Sequence, residues 1–401
     1  MRKHIINLLK ILVAVALVWF VLSKVELRDR YATRVFENGK WVETGSHTGK
    51  ILGEWKAPKV RFLPDGSEVE QDIVPKDSPT DVLEVRPGLM TVVRGLDVGI
   101  FLLGALCFLF VASFSSVRWW WLLHVNGLNV SIGQAYRLTW IGIFFSNVVP
   151  GLTGGDLIKA FYVARITGHR TRSIISVIMD RVLGLIALAL LAAVVVLIDF
   201  GNFKEIGIAI YMGLLALLIG TTCVFSRRIR AVLRLDRILE KLPLSGLLKK
   251  IDQAVYFYRD HLKGIFVWLL ASSLNHLLAV LGVFLIGVSL GLEVPVTAYL
   301  VLVPVINIAS AVPIAPAGWG VGEYLFQRFF TNYSIRIGLG QAAIMPTLAL
   351  TLSLVYRLHL MLWSLLGAVF LAFMKSRPTE AQVAALMGES DDEDALEPAA
   401  K

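Results

Sequence analysis

The sequence predicts an all-α integral membrane protein. It comprises about six membrane-spanning helices plus two oppositely oriented re-entrant hairpins in an inverted repeat, with a small extracytoplasmic β-rich insert. Three observations predict this. Several uninterrupted apolar runs reach the roughly 20 residues that cross a bilayer, in a chain of 401 residues that is 56% hydrophobic and 17% charged. Two apolar regions are broken at corresponding places, by Pro150 in one half and Pro313 in the other. The basic residues place both flanks of each broken region on one side of the membrane.

A net charge of +9 invites a nucleic-acid reading, but its location argues otherwise. Ten Lys/Arg against four Asp/Glu lie between Arg227 and Lys263, between two apolar runs. The positive-inside rule makes that stretch a cytoplasmic loop, and anionic lipid head groups are its natural counter-charge. No nucleic-acid partner is expected. Cys107 and Cys223 both fall in apolar runs and supply neither a disulfide framework nor a metal-spaced pair. No cofactor and no metal are expected.

In chain order, residues 1–23 carry Arg2, Lys3 and Lys10 before an apolar run from Ile11 to Leu22. No small-residue cleavage site follows, so this reads as a signal-anchor span with a cytoplasmic N-terminus. Residues 24–96 hold twelve basic and twelve acidic residues. Asn38-Gly39 and Pro64-Asp-Gly66 are turn signals flanked by strand-like alternation, which predicts an extracytoplasmic β-rich module. With no cysteines and modest apolar content, it leans on the membrane region for stability.

The first membrane half is 97–225. Its first span runs from about Asp97 to Val117 and ends in Arg118-Trp-Trp-Trp121, read as an interface anchor, with an aromatic lipid platform as the alternative. Arg137 precedes, and Lys159, Arg165, Arg170 and Arg172 follow, a region holding Pro150 and four glycines. A chain that starts and ends on one side around such breakers enters the membrane and returns, giving a re-entrant hairpin at 138–165. Spans follow at 173–198 and 206–225. The basic loop 226–263 carries Leu233, Leu235, Ile238 and Leu242 among its charges, an interfacial amphipathic pattern.

The second half, 264–374, holds a span at 264–290, a hairpin at 295–339 entering from the opposite side, and a last apolar run at 341–374. Residues 375–401 read as an acidic disordered cytoplasmic tail. Paired broken segments of opposite orientation are a recurring design in secondary transporters.

The two broken stretches carry the candidate chemistry. Helices beginning near Asp156 and Glu323 would set two N-termini deep in the membrane, where unpaired N–H groups attract phosphate or carboxylate. Asn147, Gly154, Gly155, Gly318 and Gly320 join them as candidate head-group binders. The glycines serve close approach of a ligand, or tight turns and helix packing. Asp156 and Glu323 either cap their helices or titrate, couple an ion, or read a cationic head group. Lys159, three residues after Asp156, is read as its partner.

Charges inside spans need a partner or a cavity, since an ionised group at the bilayer centre costs roughly 2.5–3.5 kcal/mol on insertion scales. Asp180, Arg181, Arg328 and Arg357 fall in this class. Adjacent helix residues do not face each other, so Asp180 needs a partner other than Arg181, and Arg357 is the candidate. The cations Lys159, Arg181, Arg328 and Arg357 are assigned to the head group, and Asp156, Asp180 and Glu323 to coupling or cation reading. Asn275 and His276 are read as packing hydrogen-bonders.

At Asn147…Pro150…Gly154-Gly155-Asp156, Ser176-Val-Ile-Met-Asp180-Arg181-Val-Leu-Gly184 and Pro313…Gly318-Trp-Gly320-Val-Gly-Glu323, the chain resembles the flippase-like membrane region of lysylphosphatidylglycerol synthases. The resemblance covers about residues 97–374. It implies a stand-alone member without the aminoacyl-transferring domain, since only a short stretch follows Met374. The expected location is the cell (inner) membrane as a multi-pass protein, with both termini placed in the cytoplasm by the basic residues that flank the first and last apolar runs. The function implied by the resemblance would be to move an anionic or modified phospholipid or a prenyl-phosphate-linked lipid between leaflets, with a lipid-modifying enzyme as a partner. The rival reading is a membrane glycosyl or phosphoryl transferase using a prenyl-phosphate donor, with Glu26 and Asp29 as its loop carboxylates. A third is a scaffold or receptor built on the external module.

Overall fold

The structure is a computed structural model that describes residues 27–37, 40–77, 81–148, 154–198, 200–225, 258, 261–310 and 320–374. The signal anchor at 1–23, nearly all of the basic loop, the acidic tail, and Pro150, Pro313 and Gly318 lie outside the described residues.

The β-rich insert is a six-stranded antiparallel sheet of strands β1 (Asp29–Glu37), β2 (Lys40–Leu52), β3 (Val60–Pro64), β4 (Gln71–Ile73), β5 (Lys76–Asp77) and β6 (Asp81–Arg86), in the order β4-β3-β2-β1-β6-β5. The strands expected around both turn signals are paired. The β1–β2 register pairs Glu37 with Lys40 around the Asn38-Gly39 position. Gly66 takes φ +79° between β3 and β4, a left-handed value that glycine adopts without a Cβ clash. Ile51, Val60, Phe62, Ile73 and Val85 form a small core on one face.

Such a core is slight, and the sheet is tied to the helical region. Asp29 is buried and accepts from Gly88 N (2.6 Å), Ile51 N (2.8 Å) and Thr91 Oγ1 (2.8 Å). It thereby joins β1 and β2 to the short helix α1 (Leu89–Arg94). Both its oxygens are used in this staple, which removes Asp29 as the loop carboxylate of a transferase. Trp55 packs in both the sheet core and the membrane core.

Among the described residues nine further helices succeed α1. They are α2 (Val98–Val125), α3 (Ile132–Val148), α4 (Gly154–Thr167), α5 (Arg170–Ile198), α6 (Phe200–Phe225), α7 (Leu262–Ser289), α8 (Val296–Ser310), α9 (Val321–Arg336) and α10 (Met345–Ala372). Of these described helices five, α2, α5, α6, α7 and α10, are long and apolar enough to cross a membrane.

Two boundaries differ from the sequence reading. The first span does not stop at Val117. α2 continues to Val125, so Arg118 and the three tryptophans lie within it. Trp119 is wholly buried and Trp120 Nε1 donates to Val130 O (3.1 Å), so this stretch is packed rather than an interface anchor. The stretch left between the expected spans 173–198 and 206–225 is helical from Phe200, with a kink at Phe203.

The bundle has a sheet end and a far end. At the sheet end, Asp97 N donates to Ser289 O (2.9 Å) and caps α2 through Ile100 N. Lys56 pairs with Glu293 (3.2 Å), and Gln341 bridges Glu293 N and Gly291 O (both 3.0 Å). An open cleft of about 790 Å³ separates the sheet, at Trp55 and Val85, from Ile335, Leu339 and Ile344. At the far end, Asn126 Nδ2 donates to the Tyr258 hydroxyl (2.5 Å), which donates in turn to Leu122 O (3.1 Å). Burial pushes the Tyr258 phenol up from its ordinary value.

Between these ends stand two helical hairpins of opposite direction. α3 and α4 rise from the far end, where Tyr136 stacks edge-on against Phe370 near the C-terminus of α10. α8 and α9 descend from the sheet end, where Arg336 donates to Asn202 O (2.6 Å) and Phe203 stacks on Tyr333. Each hairpin is followed by a long span, α5 or α10, and each is preceded by a 28-residue helix, α2 or α7. α2 and α7 lie antiparallel and meet at the fourteenth residue of each, where Asn275 Nδ2 donates to Val111 O (3.4 Å). That is the geometry of an inverted repeat.

Candidate functional site

The first hairpin closes because two glycines face each other. A Cβ on Gly155 would sit 2.0 Å from Gly142 O, and one on Gly142 would sit 2.8 Å from the Lys159 side chain. Gly155 therefore turns its open side to α3, and the packing role it shares with ligand approach in the sequence reading is the one occupied. Gly154 opens α4, and Asn147 Nδ2 donates back to Ile143 O (3.0 Å).

The close approach sends Lys159 past Asp156 to a different acid. Lys159 Nζ lies 3.5 Å from Asp180 Oδ2 and 4.1 Å above the Trp119 ring. Arg118 Nε donates to Asp180 Oδ1 (2.9 Å) and its Nη1 donates to Ser272 Oγ (2.9 Å). The side chains of Arg118, Asp180 and Lys159 are 7%, 13% and 8% exposed. This knot ties α2, α4, α5 and α7 together in the interior. Two sequence assignments are corrected by it. Asp180 pairs with Arg118 and Lys159 rather than Arg357, and Lys159 is not the partner of Asp156.

Arg118 is the residue that sequence reading missed. The signal was present: Leu122, Leu123 and Val125 continue the apolar pattern beyond it, so the helix could not end there. An arginine seven residues inside a span needs a buried acid.

Arg181, next to Asp180 on α5, points elsewhere and forms a short ion pair with Asp156. Their side chains are 47% and 20% exposed. Leu185, one turn further along the same face, is also exposed.

In the second half the pair is Glu323 with Arg357, and here the side chains are 3% and 17% exposed. Glu323 Oε2 also accepts from Gly320 N (2.6 Å), so Glu323 closes the N-terminus of α9 while holding the arginine. Gly320 is at φ +80°, and a Cβ on Gly322 would lie 2.5 Å from Arg357 Nη2. Both glycines let the backbone turn tightly beneath the guanidinium. Arg328 is exposed on α9, and a five-residue step sets it on another face from Glu323. It is not brought into this pair. Asn275 and His276 make packing bonds, His276 Nε2 lying 3.0 Å from Gly184 O.

Among the described residues no cluster of His, Cys, Asp and Glu could hold a metal ion. The arrangement offers three sets of paired charges around two broken hairpins, in a bundle of membrane-length helices. It defines a polytopic membrane protein with polar groups built into its interior. The family described as the lysylphosphatidylglycerol synthase TM region matches residues 87–367, and the chain belongs to it. The UPF0104 membrane protein PH1989 of Pyrococcus horikoshii is 29% identical over 156 residues, which is 36% of this chain and 47% of that protein. The match thus spans about half the length of that curated relative. No solved structure matches the chain.

Proposed function

We propose that this protein is a flippase-like lipid translocase, moving an anionic or modified phospholipid or a lipid-linked intermediate between leaflets. The observation that carries the reading is the Asp156–Arg181 pair. Its arginine is the twelfth residue of the membrane-length helix α5, and the pair is partly exposed beside an exposed leucine. A charged pair on an apolar surface is costly unless water or a polar head group reaches it. A lipid supplies that head group while its tails stay against residues such as Leu185. Phosphate would compete with Asp156 for Arg181 through charge-assisted hydrogen bonds, and Arg357 and the hairpin N-termini supply further polar groups along the path. In this reading the far end faces the cytoplasm and the sheet end faces outward. The buried Arg118–Asp180–Lys159 knot holds the scaffold and does not touch the lipid.

The test is leaflet transfer of fluorescent phosphatidylglycerol in proteoliposomes, followed by dithionite quenching. Asp156→Asn and Arg181→Gln should each reduce transfer at least tenfold in protein that remains monodisperse. Arg357→Lys serves for the second pair, because truncation would strand Glu323 as a buried charge. Wild-type transfer rates in all three variants would overturn the reading.

A further inference from the structure

The two hairpin ion pairs occupy equivalent places. Asp156 is the third residue of α4 and Glu323 the third residue of α9. Arg181 is the twelfth residue of α5 and Arg357 the thirteenth of α10. The hairpins enter from opposite ends, so each pair is the inverted copy of the other. Yet their surroundings differ. The first pair is 47% and 20% exposed, the second 17% and 3%. The second is further held by Gly320 N and by a helix turn whose Gly322 allows Arg357 to press against the backbone.

Equivalent elements in unequal environments are what an inverted repeat shows in one of its two end states, because exchange of the halves' conformations generates the other. We infer that Arg181 and Arg357 do not form one joint head-group site but two sequential docking points for a head-group phosphate. Each is masked by its own hairpin carboxylate, and they open alternately. The structure is the state in which the Asp156–Arg181 point is open and the Glu323–Arg357 point is closed. This inference rests on the translocase reading for its ligand, but the alternation itself is a property of the protein alone.

Hydrogen–deuterium exchange on the full chain in lipid nanodiscs tests it without any transported lipid. In the wild type, the first turns of α4 (155–160) should exchange at least tenfold faster than those of α9 (321–326). Glu323→Gln loosens the closed point, and the alternation requires a reciprocal response: exchange rises in 321–326 and falls in 155–160. Arg357→Lys serves the same purpose if Glu323→Gln does not fold, since it loosens the same pair from the other side without stranding Glu323 as a buried charge. A rise confined to 321–326, with 155–160 unchanged, makes the second pair a fixed structural contact and overturns the inference. Reciprocal exchange without leaflet transfer would leave the alternation standing and the translocase reading fallen; transfer without reciprocity would do the reverse.

Discussion

Asp180→Asn and Asp156→Asn are the same chemical change at two carboxylates, and the structure assigns them opposite consequences. Asp180 is the acid shared by Arg118 and Lys159, whose side chains are 7% and 8% exposed. An asparagine there still accepts a hydrogen bond from Arg118 but leaves two buried cations facing each other without counter-charge. Removing one partner of a buried pair costs about 3–5 kcal/mol. Asp156 faces an arginine that is 47% exposed, and if that opening admits water, as the translocase reading requires, the arginine stays solvated when the acid is neutralised. The cost there is about 0.2–1 kcal/mol. At ~2 °C per kcal/mol for a chain of this size, the thermal midpoint falls by about 6–10 °C for Asp180→Asn and by no more than about 2 °C for Asp156→Asn. Intrinsic tryptophan fluorescence at one fixed scan rate in detergent reads both, and Trp119 beneath Lys159 places a reporter at the knot. Adding Lys159→Met to Asp180→Asn should recover part of the loss. Equal shifts for the two single variants, or a larger one for Asp156→Asn, would refute the division into a closed structural knot and an open pair.

Two further substitutions probe the scaffold. Gly155→Ala places a Cβ 2.0 Å from Gly142 O and 2.2 Å from Ser146 Oγ, so the arms of the first hairpin must part. The expected cost is about 1–3 kcal/mol, read as a lower thermal midpoint. Asp29→Asn puts an amide where a carboxylate accepts three hydrogen bonds. With about 1.5–3 kcal/mol for a hydrogen bond to a charged group, the sheet should loosen, and limited proteolysis should cut within 40–77 while the bundle helices stay intact.

The membrane architecture was legible because it rests on long-range composition. Apolar run length marked the described spans α2, α5, α6, α7 and α10, and the flanking arginines indicated that each broken segment returns to its own side. The turn signals marked the β-hairpins for a local reason, since Gly66 needs a left-handed backbone wherever it stands. Pairing among the charges was not legible. Lys159 stands three residues from Asp156 and still binds Asp180, because Gly142 and Gly155 draw α3 and α4 together and redirect its side chain. Spacing along one helix cannot see that contact, which depends on two others. Arg118 was hidden by its neighbours: three tryptophans read as the edge of a membrane, whereas the structure buries the first of them and continues the helix.

The Asp180-Arg181 dipeptide shows why one motif serves two purposes. Neighbours on a helix point about 100° apart, so one of two adjacent charged residues turns inward and the other turns to the open face. Asp180 turns inward to the knot that fixes α5 against α2, α4 and α7, while Arg181 reaches across to the hairpin tip. Because the knot fixes α5, Arg181 is presented from a rigid support, and a change at Asp156 is felt as a change in the pair rather than in the helix. The second half has no such separation at its tip. Glu323 caps α9 and holds Arg357 with one carboxylate, so neutralising it disturbs the hairpin and the pair together. The halves should therefore answer mutation unequally: at Asp156 transfer is lost before stability, and at Glu323 the two fall together.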